Sequence, residues 1–181
     1  MNISRYIIIP LLSAIIILCA YKPTKSQQPI QPVTDFQQIK KMVDSNRFET
    51  LYTIATTHYS YFLEPGTPYS DQNIRIGQDS AFVIVRDSLA AGYLPYYGGG
   101  YTIPQTGAKG IVFRGKMIQP VSKIKGRGKR QSITYDFSII GTLDSYKVSM
   151  IIQNNGTCYL YINSNRRSPI SYVGQVVEQI H

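Results

Sequence analysis

Residues 133–139 read Ile-Thr-Tyr-Asp-Phe-Ser-Ile, so apolar Ile133, Tyr135, Phe137 and Ile139 alternate with Thr134, Asp136 and Ser138. A period of two puts the four apolar side chains on one face of a strand and leaves the other face wet. From Arg47 onward the chain keeps to short runs of β-branched and aromatic residues set between turn signals. This pattern predicts strands near 47–55, 73–77, 80–86, 89–94, 110–114, 117–124, 131–140, 145–153, 157–163 and 169–178.

One segment departs from that period. Phe36, Ile39, Met42 and Val43 recur at helical spacing, and Thr34-Asp-Phe-Gln37 matches a capping box with Thr34 as N-cap and Gln37 at N3. A helix over 35–45 follows. Its apolar stripe is too short to be stable in isolation, so the helix must dock on a sheet. Residues 27–33 before it are polar and proline-spaced, and read as a linker.

The hairpin at Asn154-Asn155-Gly156 can be resolved to its register, because loop length decides which side chains lie opposite one another. A two-residue Asn155-Gly156 turn would mix apolar and polar residues on both faces. A three-residue loop, with Gly156 in the left-handed conformation, pairs Ile152 with Cys158, Met150 with Leu160 and Val148 with Ile162, giving one clean apolar face. The second register is expected, with Cys158 in the core and Tyr159 and Tyr161 outside beside Ser149, Ile151 and Gln153. Asn155-Gly-Thr157 also matches a glycosylation acceptor, but Asn-Gly is a frequent turn pair and is read as one.

Composition supports a mainly β fold. The 181 residues hold 15 Tyr, 6 Phe and no Trp, with 14 Gly and 10 Pro to supply turns. The expected fold is a single antiparallel β-sandwich or flattened barrel of about eight to ten strands over 34–181. The N-terminal amphipathic helix would pack across an end or an open face.

The N-terminus carries Arg5 and then an apolar run from Ile7 to Ala20, shorter than a spanning helix needs. It reads as a secretory signal over 1–26, with Thr24 and Ser26 as the small residues of a cleavage site. Cys19 offers lipidation as an alternative, although Leu18 stands where a lipobox takes a small residue, and an uncleaved anchor is the third reading. All three export the domain to the periplasm or the outer membrane, the last two with a membrane tether at the N-terminus. Cleavage after Ser26 leaves Cys158 alone, so no internal disulfide can form and the core must hold the domain.

Without Arg5, Lys22 and Lys25 the net charge falls from +9 to +6, and residues 109–130 hold eight bases and no acid. For an exported chain this excludes nucleic acid as the natural partner and leaves anionic envelope components. Lys123, Lys125, Arg127, Lys129 and Arg130 are the candidate anionic-surface contacts. Their other reading is a solvated turn tip, since Lys125-Gly-Arg-Gly-Lys-Arg130 contains two glycines and no apolar residue.

Catalytic patterns are missing. His58 and His181 are the only histidines, neither lies at metal-ligand spacing from Cys, Asp or Glu, and the ten acids are scattered singly. No cofactor or metal is expected. Gly98-Gly-Gly100 is followed by Tyr-Thr-Ile-Pro rather than by a helix start with a Lys-Ser/Thr pair, so it is not a phosphate cradle. Tyr93, Tyr96, Tyr97 and Tyr101, with Tyr172, are candidate binding residues, because rings with a polar tip stack on sugars and lipids. Packing around glycines at a sheet edge is their alternative role.

Several blocks carry a family resemblance in their order along the chain. They are Leu94-Pro-Tyr-Tyr-Gly98 with Tyr101, Gly110-Ile-Val-Phe-Arg-Gly115, Asn155-Gly156 with the strand to Ile162, Ser164-Asn-Arg166 and Ile170-Ser-Tyr-Val-Gly174. From about Val43 to Val177 the chain resembles domain of unknown function 4251, a family of small exported Bacteroidota envelope proteins. The resemblance implies a leader and often a lipoprotein cysteine, and it implies no activity or site residue. The chain departs from the pattern at Tyr97, at Gly99-Gly100 and at the poor lipobox around Cys19. The shared order also suggests that the 92–101 and 170–174 blocks meet in the fold.

The expected function is that of an exported, non-catalytic envelope protein, a binding or structural module whose partner is a protein, glycan or lipid. A barrel carrying a small apolar ligand is the alternative, and an undetected hydrolase a more distant one.

Overall fold

The four apolar residues of 133–139 do share the interior, each no more than 3% exposed, while the residues between them are half-exposed. The computed structural model describes residues 30–57, 72–77, 80–97, 110–141 and 144–178. In chain order the elements are α1 (Phe36–Asp44), β1 (Arg47–Thr57), β2 (Gln72–Arg75), β3 (Phe82–Arg86), β4 (Leu89–Pro95), β5 (Gly110–Lys116), β6 (Ile118–Lys125), β7 (Ser132–Ile140), β8 (Ser145–Gln153), β9 (Thr157–Ser164) and β10 (Ile170–Val177). They match the expected helix and ten strands to within a few residues.

All ten strands belong to one antiparallel sheet, ordered β5-β4-β3-β1-β10-β9-β8-β7-β6, with β2 pairing beside β3 along the far half of β1. β5 and β6 lie at opposite ends of this order, yet Met117 alone separates them in the chain. One continuous stretch of backbone therefore crosses between the two edges, and the sheet must curl into a nearly closed barrel. β5 comes up beside β7 at the seam, where a Cβ on Gly141 would stand 3.0 Å from the Val112 carbonyl oxygen.

The β8–β9 hairpin adopts the register expected of a three-residue loop. Ile152 pairs with Cys158, Met150 with Leu160 and Val148 with Ile162, all six buried. Gly156 takes a φ of +84°, and a Cβ there would stand 2.0 Å from the Val33 carbonyl oxygen. Only glycine suits both the left-handed backbone and the close approach.

That approach shows where the fold begins. The Val33 N–H donates to the Val176 carbonyl at 2.8 Å, and Pro32 bridges to Val177. The last two residues of the expected linker thus already belong to the sheet. α1 follows with Ile39 and Val43 buried against the barrel, and Ile39 reaches toward Gly156.

The cap of α1 is a correction to the sequence reading. Asp35 is the N-cap, in an extended conformation, and its carboxylate accepts from the Gln37 N–H at 3.0 Å. Thr34 and Asp35 are both cap formers, and a one-residue shift in the helix start decides between them.

A bulge in β1 supplies the last device of the fold. Its pairing with β10 shifts between Tyr52 and Ile54, so the buried positions change from Phe48, Thr50 and Tyr52 to Ala55 and Thr57. The bulged backbone crowds Gly174 opposite, where a Cβ would stand 1.8 Å from the Leu51 carbonyl oxygen. This contact accounts for the glycine that closes the 170–174 block.

Aromatic rings fill the middle. Phe48 meets Tyr135 edge-on at 5.2 Å, Tyr52 lies 6.0 Å from Tyr172, and Phe113 lies 6.0 Å from Tyr146. Cys158 sits among them, fully buried, with its sulfur 3.6 Å from the Tyr52 hydroxyl. It is a core residue, as expected.

Candidate functional site

At the end of β4 the tyrosines separate into two kinds. Leu89, Ala91 and Tyr93 point outward while Ala90, Gly92 and Leu94 point inward, as a period of two requires. Gly92 is opposite Phe113, and a Cβ at Gly92 would stand 2.5 Å from the ring, so the glycine makes room for the aromatic side chain. Tyr93 is opposite Val112 on the outer face and is 40% exposed.

Beyond Pro95 the chain is clamped to the β9–β10 connection. The Tyr172 hydroxyl donates to the Pro95 carbonyl at 2.8 Å, and the Tyr96 hydroxyl donates to the Ser168 carbonyl at 3.1 Å. The guanidinium of Arg167 lies 5.0 Å from the centre of the Tyr96 ring, within cation–π range, and donates to the Gly110 carbonyl at 3.0 Å. The described part of the first sequence block, residues 92–97, therefore meets the 170–174 block in the fold, through Pro95 and Tyr172.

Tyr172 was expected among the contact residues, but it has no exposed surface and cannot stack on a partner. Burial pushes its phenol far above the usual range, with Tyr96 and Tyr97 adding to the shift and Arg167 opposing it. Tyr96 is partly buried and packs against the core. Tyr97 remains 40% exposed at the same end of the barrel. Tyr101 lies outside the described residues, as do Cys19, His58, His181 and the glycines at 98–100.

Arg167 was not singled out by the sequence. It follows Arg166 directly, and nothing in the spacing of the two says that one points inward and is 4% exposed. Among the described residues its Nε has no hydrogen-bond partner, and neither has Oδ2 of the buried Asp144. Both charges reach Tyr146, whose phenol is raised by burial, lowered by Arg167 and raised by Asp144.

Among the described residues no group of three His, Cys, Asp or Glu could hold a metal. Burial pushes the Cys158 thiol up to about 12, which keeps it protonated and unreactive. Glu49, on β1, is raised by partial burial, with Arg86 opposing the shift. A shallow open hollow of about 210 Å³ lies outside on β7 and β8, where its one carboxylate, Asp136, already accepts from the Ser149 hydroxyl.

Lys123, Lys125, Arg127, Lys129 and Arg130 gather on a single projecting hairpin. All five are exposed, and a short 3₁₀ turn at Gly128–Arg130 joins β6 to β7, in keeping with the turn tip read from the sequence.

A family model described as "Domain of unknown function (DUF4251)" matches residues 31–176. A similar solved structure is the crystal structure of a DUF4251 family protein from Bacteroides eggerthii DSM 20697 at 1.95 Å resolution. It is 16% identical, with a TM-score of 0.55, and the likeness covers 80% of this chain and 88% of that one. No curated protein matches. At that identity the likeness concerns the fold.

Proposed function

The chain belongs to the family described as domain of unknown function 4251, and from that premise we propose that it is an exported, non-catalytic envelope protein that contacts another envelope component through Tyr93 and Tyr97. The carrying observation is the split within one short block. Tyr96 is committed to Ser168 and Arg167, while Tyr93 and Tyr97 each keep 40% of their surface open on a backbone held by Tyr172. Exposed tyrosines on a fixed backbone make economical contact surfaces, because little conformational freedom is lost on binding.

The N-terminal apolar run with its small-residue cleavage site supports export to the periplasm or the outer membrane, and Cys19 supplies a tether if it is lipidated. The ring contacts through the middle of the barrel weigh against an apolar ligand carried inside.

The test is a photo-crosslinking residue placed at Tyr97, at Tyr93 or, as a control, at the exposed Tyr161 on β9, in the cells that make the protein. A discrete adduct from positions 97 and 93 but not from 161 supports the reading. No adduct from 97 or 93, or the same adducts from all three, overturns it.

A further inference from the structure

We propose that the free edge of β6 between Val121 and Lys125 is a docking strand for an extended acidic segment of another envelope protein, separate from the tyrosine surface. β6 ends the sheet order, and among the described residues no strand pairs with its far side. All eight of its residues are exposed, including Ile118, Val121 and Ile124. An edge of this kind presents unpaired backbone groups that a further strand can complete.

The usable length is set within β6 itself. Gln119 has a φ of +51°, the pairing with β7 shifts between Ile118 and Val121, and Pro120 has no N–H to offer. These features close the first part of the edge. From Val121 the pairing is regular to Lys125.

Register then fixes the chemistry of the partner. Ser122 and Ile124 lie opposite Tyr135 and Ile133 and so share the core-side face, while Lys123 and Lys125 lie opposite Thr134 and Ser132 on the outer face. A strand added beside β6 would place acidic residues next to Lys123 and Lys125 and an apolar residue next to Ile124. The ligand is therefore an alternating acidic–apolar–acidic strand. A second copy of this chain is disfavoured, because two β6 edges would bring lysines together in a segment that has eight bases and no acid.

The probe is a labelled peptide of alternating Glu and Val, with a control in which Lys replaces Glu, read by fluorescence polarisation and by hydrogen exchange on the intact protein. The Glu peptide should bind, weaken with salt and slow exchange at 121–125, while the Lys peptide should not bind. Lys123→Glu with Lys125→Glu should weaken the Glu peptide by about tenfold and admit the Lys peptide. These positions are solvent-exposed, so the melting temperature serves as a folding control. Equal binding of the two peptides, or no slowing at 121–125, overturns the proposal. So does binding to phosphatidylglycerol vesicles that the Glu peptide cannot displace, since the hairpin would then serve a lipid surface.

Discussion

The Tyr172 hydroxyl donates to the Pro95 carbonyl at 2.8 Å, although β3 and β1 stand between β10 and β4 in the sheet. Strands three positions apart in a flat sheet are separated by about 14 Å, beyond the reach of a tyrosine. The bond therefore depends on the curl of the barrel and braces it from inside. It also ties together the two sequence blocks by which the family was first legible.

The bulge in β1 makes Gly174 the least replaceable residue of those blocks. Gly174→Ala should destabilise the domain by about 3 kcal/mol or more, because the new methyl group would collide with the Leu51 carbonyl oxygen, a backbone atom with little room to move. Urea denaturation checks this. A loss near that of an exposed-strand Gly→Ala change would mean that β1 relaxes freely there.

Alkaline pH should destabilise the protein progressively from about pH 9 upward. Burial raises the Cys158 thiol from 9.0 to about 12, so between those values the unfolded chain gives up a proton that the native state keeps. Stability is intact below 9.0 and falls by about 1.4 kcal/mol per pH unit for this group alone as pH rises toward 12. Tyr135, also raised by burial to about 12, joins above pH 10. Urea midpoints from pH 8 to 10 should therefore decline, and Cys158→Ala should flatten the slope between 9 and 10 while lowering stability overall.

The helix cap separates two adjacent residues. Asp35→Ala should cost about 1 kcal/mol, as loss of an N-cap side chain does, whereas Thr34→Ala should cost a few tenths at most. Thermal melts of the two variants distinguish them, and the opposite ranking would restore Thr34 as the cap.

Much of this architecture is local information and could be read directly. The alternation at 133–139 and the clean face of the 148–162 hairpin fix side-chain direction without any knowledge of the neighbouring strands. The bulge after Tyr52 was not legible, because no glycine or proline marks it and its cause is the pairing with Gly174, more than a hundred residues away. The isolation of β6 was hidden for a similar reason. Ile118, Val121 and Ile124 resemble the residues of any strand, and only the sheet order shows that β6 lies at an edge. Among the tyrosines, sequence offered five equivalent candidates. Curvature placed Tyr172 inside and tied down Tyr96, and it brought in Arg167, which no pattern had marked.

Tyr172 braces the barrel from inside, whereas Tyr93, on the outer face of β4, does not. The unfolding free energies of Tyr172→Phe and Tyr93→Phe, measured side by side in urea, test this difference directly, since each change removes only a hydroxyl. Tyr172→Phe should lose about 1–2 kcal/mol, because the Pro95 carbonyl is left without its donor, and Tyr93→Phe should stay within about 0.5 kcal/mol of wild type. Equal losses, or a larger loss at Tyr93, would contradict the account.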